Sequence, residues 1–64
     1  MKKIKITRQA YINCLKVCEE NNCLSEIFFE NLSSLLEADE TIISVKGSQF
    51  ITNQLRIIEL NEII

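Results

Sequence analysis

The chain has 64 residues, of which 47% are apolar, one is glycine and none is proline, histidine or tryptophan, and its formal net charge is −2. That length limits it to a single small domain, residues 1–64, burying only about 60% of the surface that its unfolded form exposes. The absence of histidine removes the commonest general base and a frequent metal ligand. So much apolar side chain exceeds what a thin core hides, and part of it is expected to meet a second copy of the chain or a larger protein.

The charge is unevenly spread. Residues 1–18 carry Lys2, Lys3, Lys5, Arg8 and Lys16 with no acid, whereas residues 19–64 carry all nine acids against Lys46 and Arg56, a balance of −7. Phosphate contacts are made mostly by Lys and Arg, but an acidic total opposes nucleic acid, so the pattern reads as a basic start folded against an acidic remainder. No stretch reaches the roughly 18 to 20 apolar residues of a membrane span. The lysine-rich start is not followed by the apolar run of a secretory signal. A cytoplasmic protein away from membranes is expected, and three cysteines, an odd number, agree with a reducing compartment.

The opening Lys3-Ile4-Lys5-Ile6-Thr7 alternates with period two and predicts a short edge strand protected by its lysines. From Arg8 to Glu20 the period becomes helical, with Tyr11, Cys14, Leu15 and Cys18 as the apolar stripe. Thr7 is the expected N-cap, and Asn21-Asn22 the expected source of a left-handed residue at the far end. Arg8 at the start and Glu19-Glu20 at the finish oppose the helix dipole, which asks for compensation from elsewhere. A second helix is expected near Ser25, capped by its hydroxyl, with Leu24 and Phe29 spaced as a hydrophobic staple. Its apolar stripe is Phe28, Phe29, Leu32, Leu35 and Leu36, set against Glu30, Asn31, Ser33, Ser34 and Glu37.

Thr41 to Lys46 then reads as a strand with Ile43 and Val45 on one face, Gly47-Ser48 as a two-residue turn, and Gln49 to Thr52 as the returning strand. Residues 53–64 fit either a strand, which needs an irregularity, or a helix, with a slight preference for strand. The predicted architecture is α+β: a helical hairpin packed on a small antiparallel sheet in the order β-α-α-β-β, followed by a strand or helix.

The cysteines, spaced Cys14-x3-Cys18-x4-Cys23, form the most chemical-looking stretch. Structural zinc wants four ligands in close pairs, and no histidine completes this set. Cys14 and Cys18, one helical turn apart, read as core residues. Cys23 lies off that stripe and is the one thiol expected to be accessible and reactive. Glu37, Asp39 and Glu40 read as a solvated helix end, since paired carboxylates catalyse only in a water-poor cleft. A nucleophile would have only lysine as its base, and the single glycine forms no phosphate loop. No cofactor, metal site or enzyme activity is expected.

Two helices followed by a β-hairpin outline a small winged helix-turn-helix, but the second helix presents Glu26, Glu30, Asn31 and Glu37 where bases and phosphates would need Arg, Lys, Asn or Gln. Protein contact is the favoured reading. Ile27, flanked by Glu26 and Glu30, is a candidate exposed anchor or else packs under the tail. Ile57, Ile58, Leu60, Ile63 and Ile64 are too apolar to dangle in water, and so close the sheet or pair with a second chain.

The sequence therefore predicts a self-associating, acidic regulator or inhibitor acting by surface contact on a larger protein. Its isoleucine, asparagine and lysine richness, which AT-rich coding gives, fits a bacterial mobile element or phage. A DNA-binding transcriptional regulator is the alternative, and a small-molecule binder with a pocket formed between subunits is the third reading.

Overall fold

The computed structural model describes residues 4–64 and has the element order α1 (Arg8–Glu20), α2 (Ser25–Leu35), β1 (Ile42–Lys46), β2 (Gln49–Thr52), β3 (Ile57–Glu59) and α3 (Leu60–Ile63). The architecture is the expected α+β arrangement. The strands form one antiparallel sheet in the order β1-β2-β3. One core joins α1, α2 and the inner face of the sheet through Cys14, Phe28, Leu32, Ile42, Phe50, Ile58 and Ile63.

The predicted opening strand is reduced to one parallel bridge between Ile6 and Ile42, while Lys3 lies outside the described residues. Thr7 accounts for this brevity: its side chain accepts from the Ala10 N–H at 3.4 Å and turns the chain directly into α1. The bridge closes through Ile42 N–H to Lys5 C=O at 3.1 Å and Thr7 N–H to Ile42 C=O at 3.0 Å.

The buried face of α1 is Ala10, Cys14, Val17 and Cys18, not the expected Tyr11, Cys14, Leu15 and Cys18. The two stripes share the cysteines and differ by a rotation about the helix axis. Small Ala10 and Val17 join the core, while Tyr11 stays exposed and stacks on Phe29 of α2, with ring centroids 5.1 Å apart. No opposite charge offsets the dipole in the terminal turns of α1. Hydrogen bonds do the work there instead, with Asn21 Nδ2 donating to Val17 C=O at 2.8 Å and Asn22 adopting the left-handed φ of 54°.

Leu24, not Ser25, occupies the N-cap of α2; it makes no side-chain cap bond and is exposed. Phe28 and Leu32 enter the core as expected, and Ser33, assigned to the polar side, is buried as well.

Gly47, at φ 60°, makes the β1–β2 turn as predicted, since glycine reaches that region at little cost. β1 itself departs from simple alternation. Ile42 pairs with Thr52 but Ser44 pairs with Ile51, so an extra residue lies between them. This bulge puts Ile42 and Val45 on the inner side and turns Ile43, predicted to share a face with Val45, out to solvent. The tail resolves into both alternatives in succession. Strand β3 pairs Ile58 with Phe50 inside and Ile57 with Ile51 outside, and α3 follows with a reciprocal capping box between Glu59 and Glu62.

Candidate protein-interaction surface

The helices cover one side of the sheet, and the other carries Ile43, Ile51 and Ile57. Ile51 and Ile57 are cross-strand partners, and Ser44 pairs with Ile51 from the other side. Ile51 is half-buried and stands outside the core cluster. Ile57 keeps 51% of its surface exposed. Beyond it, Leu55 projects from the β2–β3 turn with 85% exposed and a left-handed φ of 61°. A leucine there is unusual, because its Cβ crowds the backbone at a cost of about 1 to 2 kcal/mol.

The predicted surface residues separate by the pleat of the chain. Ile58 and Ile63 belong to the core, which removes them from any free surface, and Leu60 packs partly against it. Ile57 and Ile64 remain exposed. On α2, Ile27 is 54% exposed between exposed Glu26 and Glu30, so the tail does not cover it. One turn along, Asn31 Nδ2 donates to Ile63 C=O at 2.9 Å, which ties the end of α3 to the same side of α2. The sheet and helix patches occupy different faces, since Ile57 lies opposite the side on which α2 packs.

The sheet edges offer less than its outer face. On the free edge of β3 the Glu59 N–H is taken by Glu62 Oε2 at 2.8 Å, while Leu60 N–H to Ser48 C=O at 2.8 Å continues the pairing with β2. Along β1, Ile42 is occupied by its bridge to the segment before α1. A shallow open depression between the β1–β2 turn and α3 is lined by Ser48, Glu59, Leu60, Asn61 and Ile64.

The structural residue that the sequence reading missed is Glu40. Glu37 and Asp39 are exposed as expected of a solvated helix end, but Glu40 is only 1% exposed. Its carboxylate is held by Arg56, with Nε to Oε2 at 3.0 Å and Nη2 to Oε1 at 2.5 Å, and accepts from Glu37 N–H at 3.0 Å. Arg56 Nη2 also donates to Leu35 C=O at the end of α2. Thr52 Oγ1 accepts from Arg56 N–H at 3.3 Å. The guanidinium holds Glu40 at about 2, against an ordinary carboxyl value of 4.5, despite its burial. This cluster fixes three places at once: the end of α2, the α2–β1 connection and the β2–β3 turn. Its only sequence signal is that Arg56 is one of two cations after residue 18.

Cys14 and Cys18 are buried as predicted, and Cys23 is half-buried. Burial, joined by the neighbouring thiols, pushes Cys14 and Cys18 up to about 12, which keeps them protonated. Among the described residues, no three of His, Cys, Asp or Glu stand together as a metal site, and no helix is long and apolar enough to cross a membrane. No protein-family description matches the chain, and no curated protein or solved structure is significantly similar to it.

Proposed function

We propose that this protein is a non-enzymatic binding module that self-associates and regulates or inhibits a larger protein by surface contact. The observation that carries the reading is that, among the described residues, nine large apolar side chains stay at the surface, from Tyr11 and Ile27 on the helices to Ile43, Leu55 and Ile57 on and beside the outer sheet face. Burying apolar area is the main drive for protein association, and interface cores are rich in such residues. Two separate patches suit two contacts. The outer sheet face, centred on Ile57, takes a second copy. The helix patch, Ile27 flanked by Glu26 and Glu30, takes the larger partner, and its acidic rim favours a basic surface there. A cytoplasmic regulator from a bacterial mobile element or phage is the setting that fits the composition.

Immobilised wild-type protein and its Ile27→Asp variant, exposed to a bacterial extract, test the partner contact. A stoichiometric protein captured by the wild type and lost by the variant supports the reading. Salt-sensitive DNA binding at micromolar concentration, with no protein captured, would replace it with the transcriptional alternative.

A further inference from the structure

The cysteines have no part in that surface, yet two of them are placed for chemistry. Helix α1 ends in a Schellman cap. Cys23 N–H donates to Cys18 C=O at 3.0 Å and Asn22 N–H to Glu19 C=O at 3.3 Å, with Asn22 as the left-handed residue. In this motif the two residues that close the outer hydrogen bond bring their side chains together, ordinarily as an apolar contact. Here both are cysteines. The Cys23 thiol donates to Cys18 C=O at 3.6 Å, which holds the Cys23 sulfur against the Cys18 end of the cap. Cys23 is half-buried while Cys18 is buried, so solvent reaches the pair from the Cys23 side. Cys14 is one helical turn before Cys18, where both Cβ atoms leave the helix in nearly the same direction, a poor disposition for a disulfide.

We propose that Cys18 and Cys23 form a redox-active dithiol that hydrogen peroxide closes to a reversible disulfide, with Cys23 as the attacking thiol and Cys18 as the resolving one. The Cys23 thiolate attacks one peroxide oxygen and the O–O bond breaks. The departing hydroxide takes up the proton that Cys23 released and leaves as water, and Cys23 becomes a sulfenic acid. The Cys18 sulfur then attacks the sulfenic sulfur, forming the S–S bond as the S–O bond breaks. The hydroxide expelled combines with the Cys18 proton as a second water. One peroxide is reduced and two thiols are oxidised. Burial shields Cys18 from direct oxidation, and the cap that sets Cys23 beside Cys18 makes the second step intramolecular. The bond locks the end of α1 onto the start of the α2 connection. A dithiol of this kind matches the reversible use of disulfides in reducing compartments.

The test treats the full, folded chain with hydrogen peroxide, blocks the remaining thiols with iodoacetamide and measures intact mass and peptide linkage. Trypsin at Lys16 separates Cys14 from the pair, and cleavage at Glu19 and Glu20 separates Cys18 from Cys23. The expected result is a monomer lighter by two hydrogen atoms, with a Cys18–Cys23 linkage that dithiothreitol removes, that Cys14→Ala retains and that Cys23→Ala loses. A Cys14–Cys18 linkage, a disulfide between two molecules through Cys23, or overoxidation of Cys23 without any linkage would overturn the proposal. The wild-type linkage map decides the matter even where a variant fails to fold.

Discussion

On the inner face of the sheet Ile42, Phe50 and Ile58 are shut away from solvent, whereas on the outer face Ile43 and Ile57 keep 43% and 51% of their surface exposed. The residue type is the same on both sides, and chain position alone separates Ile57 from Ile58. Hydrophobicity per residue thus carries no information about which isoleucine stabilises the fold and which is available to a partner. The pleat decides it, and in β1 the bulge at Ile43 decides it against simple alternation. Folding buries the inner set, and the proposed association would use the outer one.

The sharpest way to break this comparison is to truncate one isoleucine from each face. Ile58→Ala is expected to lower the unfolding free energy by about 3 kcal/mol through lost burial and the cavity left behind, and Ile57→Ala by no more than about 0.5 kcal/mol in the dissociated protein. Urea denaturation at low protein concentration measures both, and equal losses would erase the distinction between the faces. A domain of this size has roughly 3 to 10 kcal/mol in total, so the first variant is close to unfolding.

The next largest effect separates the two partners of the ion pair that pins the sheet to α2. Arg56→Met strands the Glu40 carboxylate inside and is expected to cost about 3 kcal/mol, while Glu40→Gln releases a guanidinium already 44% exposed and costs less. The reverse order in thermal or urea unfolding would mean that Glu40 is hydrated in solution. Acid sharpens the same point. Glu40 titrates lower in the folded chain than in the unfolded one, so its stabilisation is complete above the ordinary value of 4.5 and is lost as pH falls toward about 2. The urea midpoint should drop across that window in the wild type, and the part of the drop due to Glu40 should vanish in Glu40→Gln.

The smallest effects compare the two hairpin turns. Gly47 and Leu55 both have left-handed φ, 60° and 61°, but only the first is a glycine. Gly47→Ala has open space for its Cβ and should lose about 1 kcal/mol from conformation alone, while Leu55→Gly should gain about 0.5 kcal/mol. A loss of stability in Leu55→Gly would show that the exposed leucine already packs against something.

Features set by neighbouring residues were legible in the sequence: the helical hairpin, the Thr7 cap, the Asn22 helix end and the Gly47 turn each depend on residues a few positions apart. What escaped was set over longer distances. The rotation of α1 toward Ala10 and Val17 depends on how the rest of the core packs against the helix, and Tyr11 finds its partner Phe29 on another helix. The burial of Glu40 depends on Arg56, 16 residues away, and in isolation an acid between Asp39 and Thr41 looks like any solvated one. Of the surface residues, Ile27, Ile57 and Ile64 were identifiable as excess apolar side chains, but their separation from Ile58 and Ile63 required the register of β3 and the start of α3. Ile43 was misplaced because a bulge leaves no mark on a period-two pattern.

The most direct test of the central claim is sedimentation velocity on wild-type and Ile57→Asp protein over a concentration series from low micromolar to millimolar. Concentration-dependent association in the wild type, weakened tenfold or more in a variant that remains folded, is the expected result. A wild-type monomer throughout the series, or association that Ile57→Asp leaves unchanged, would contradict the assignment of the outer sheet face to a second copy.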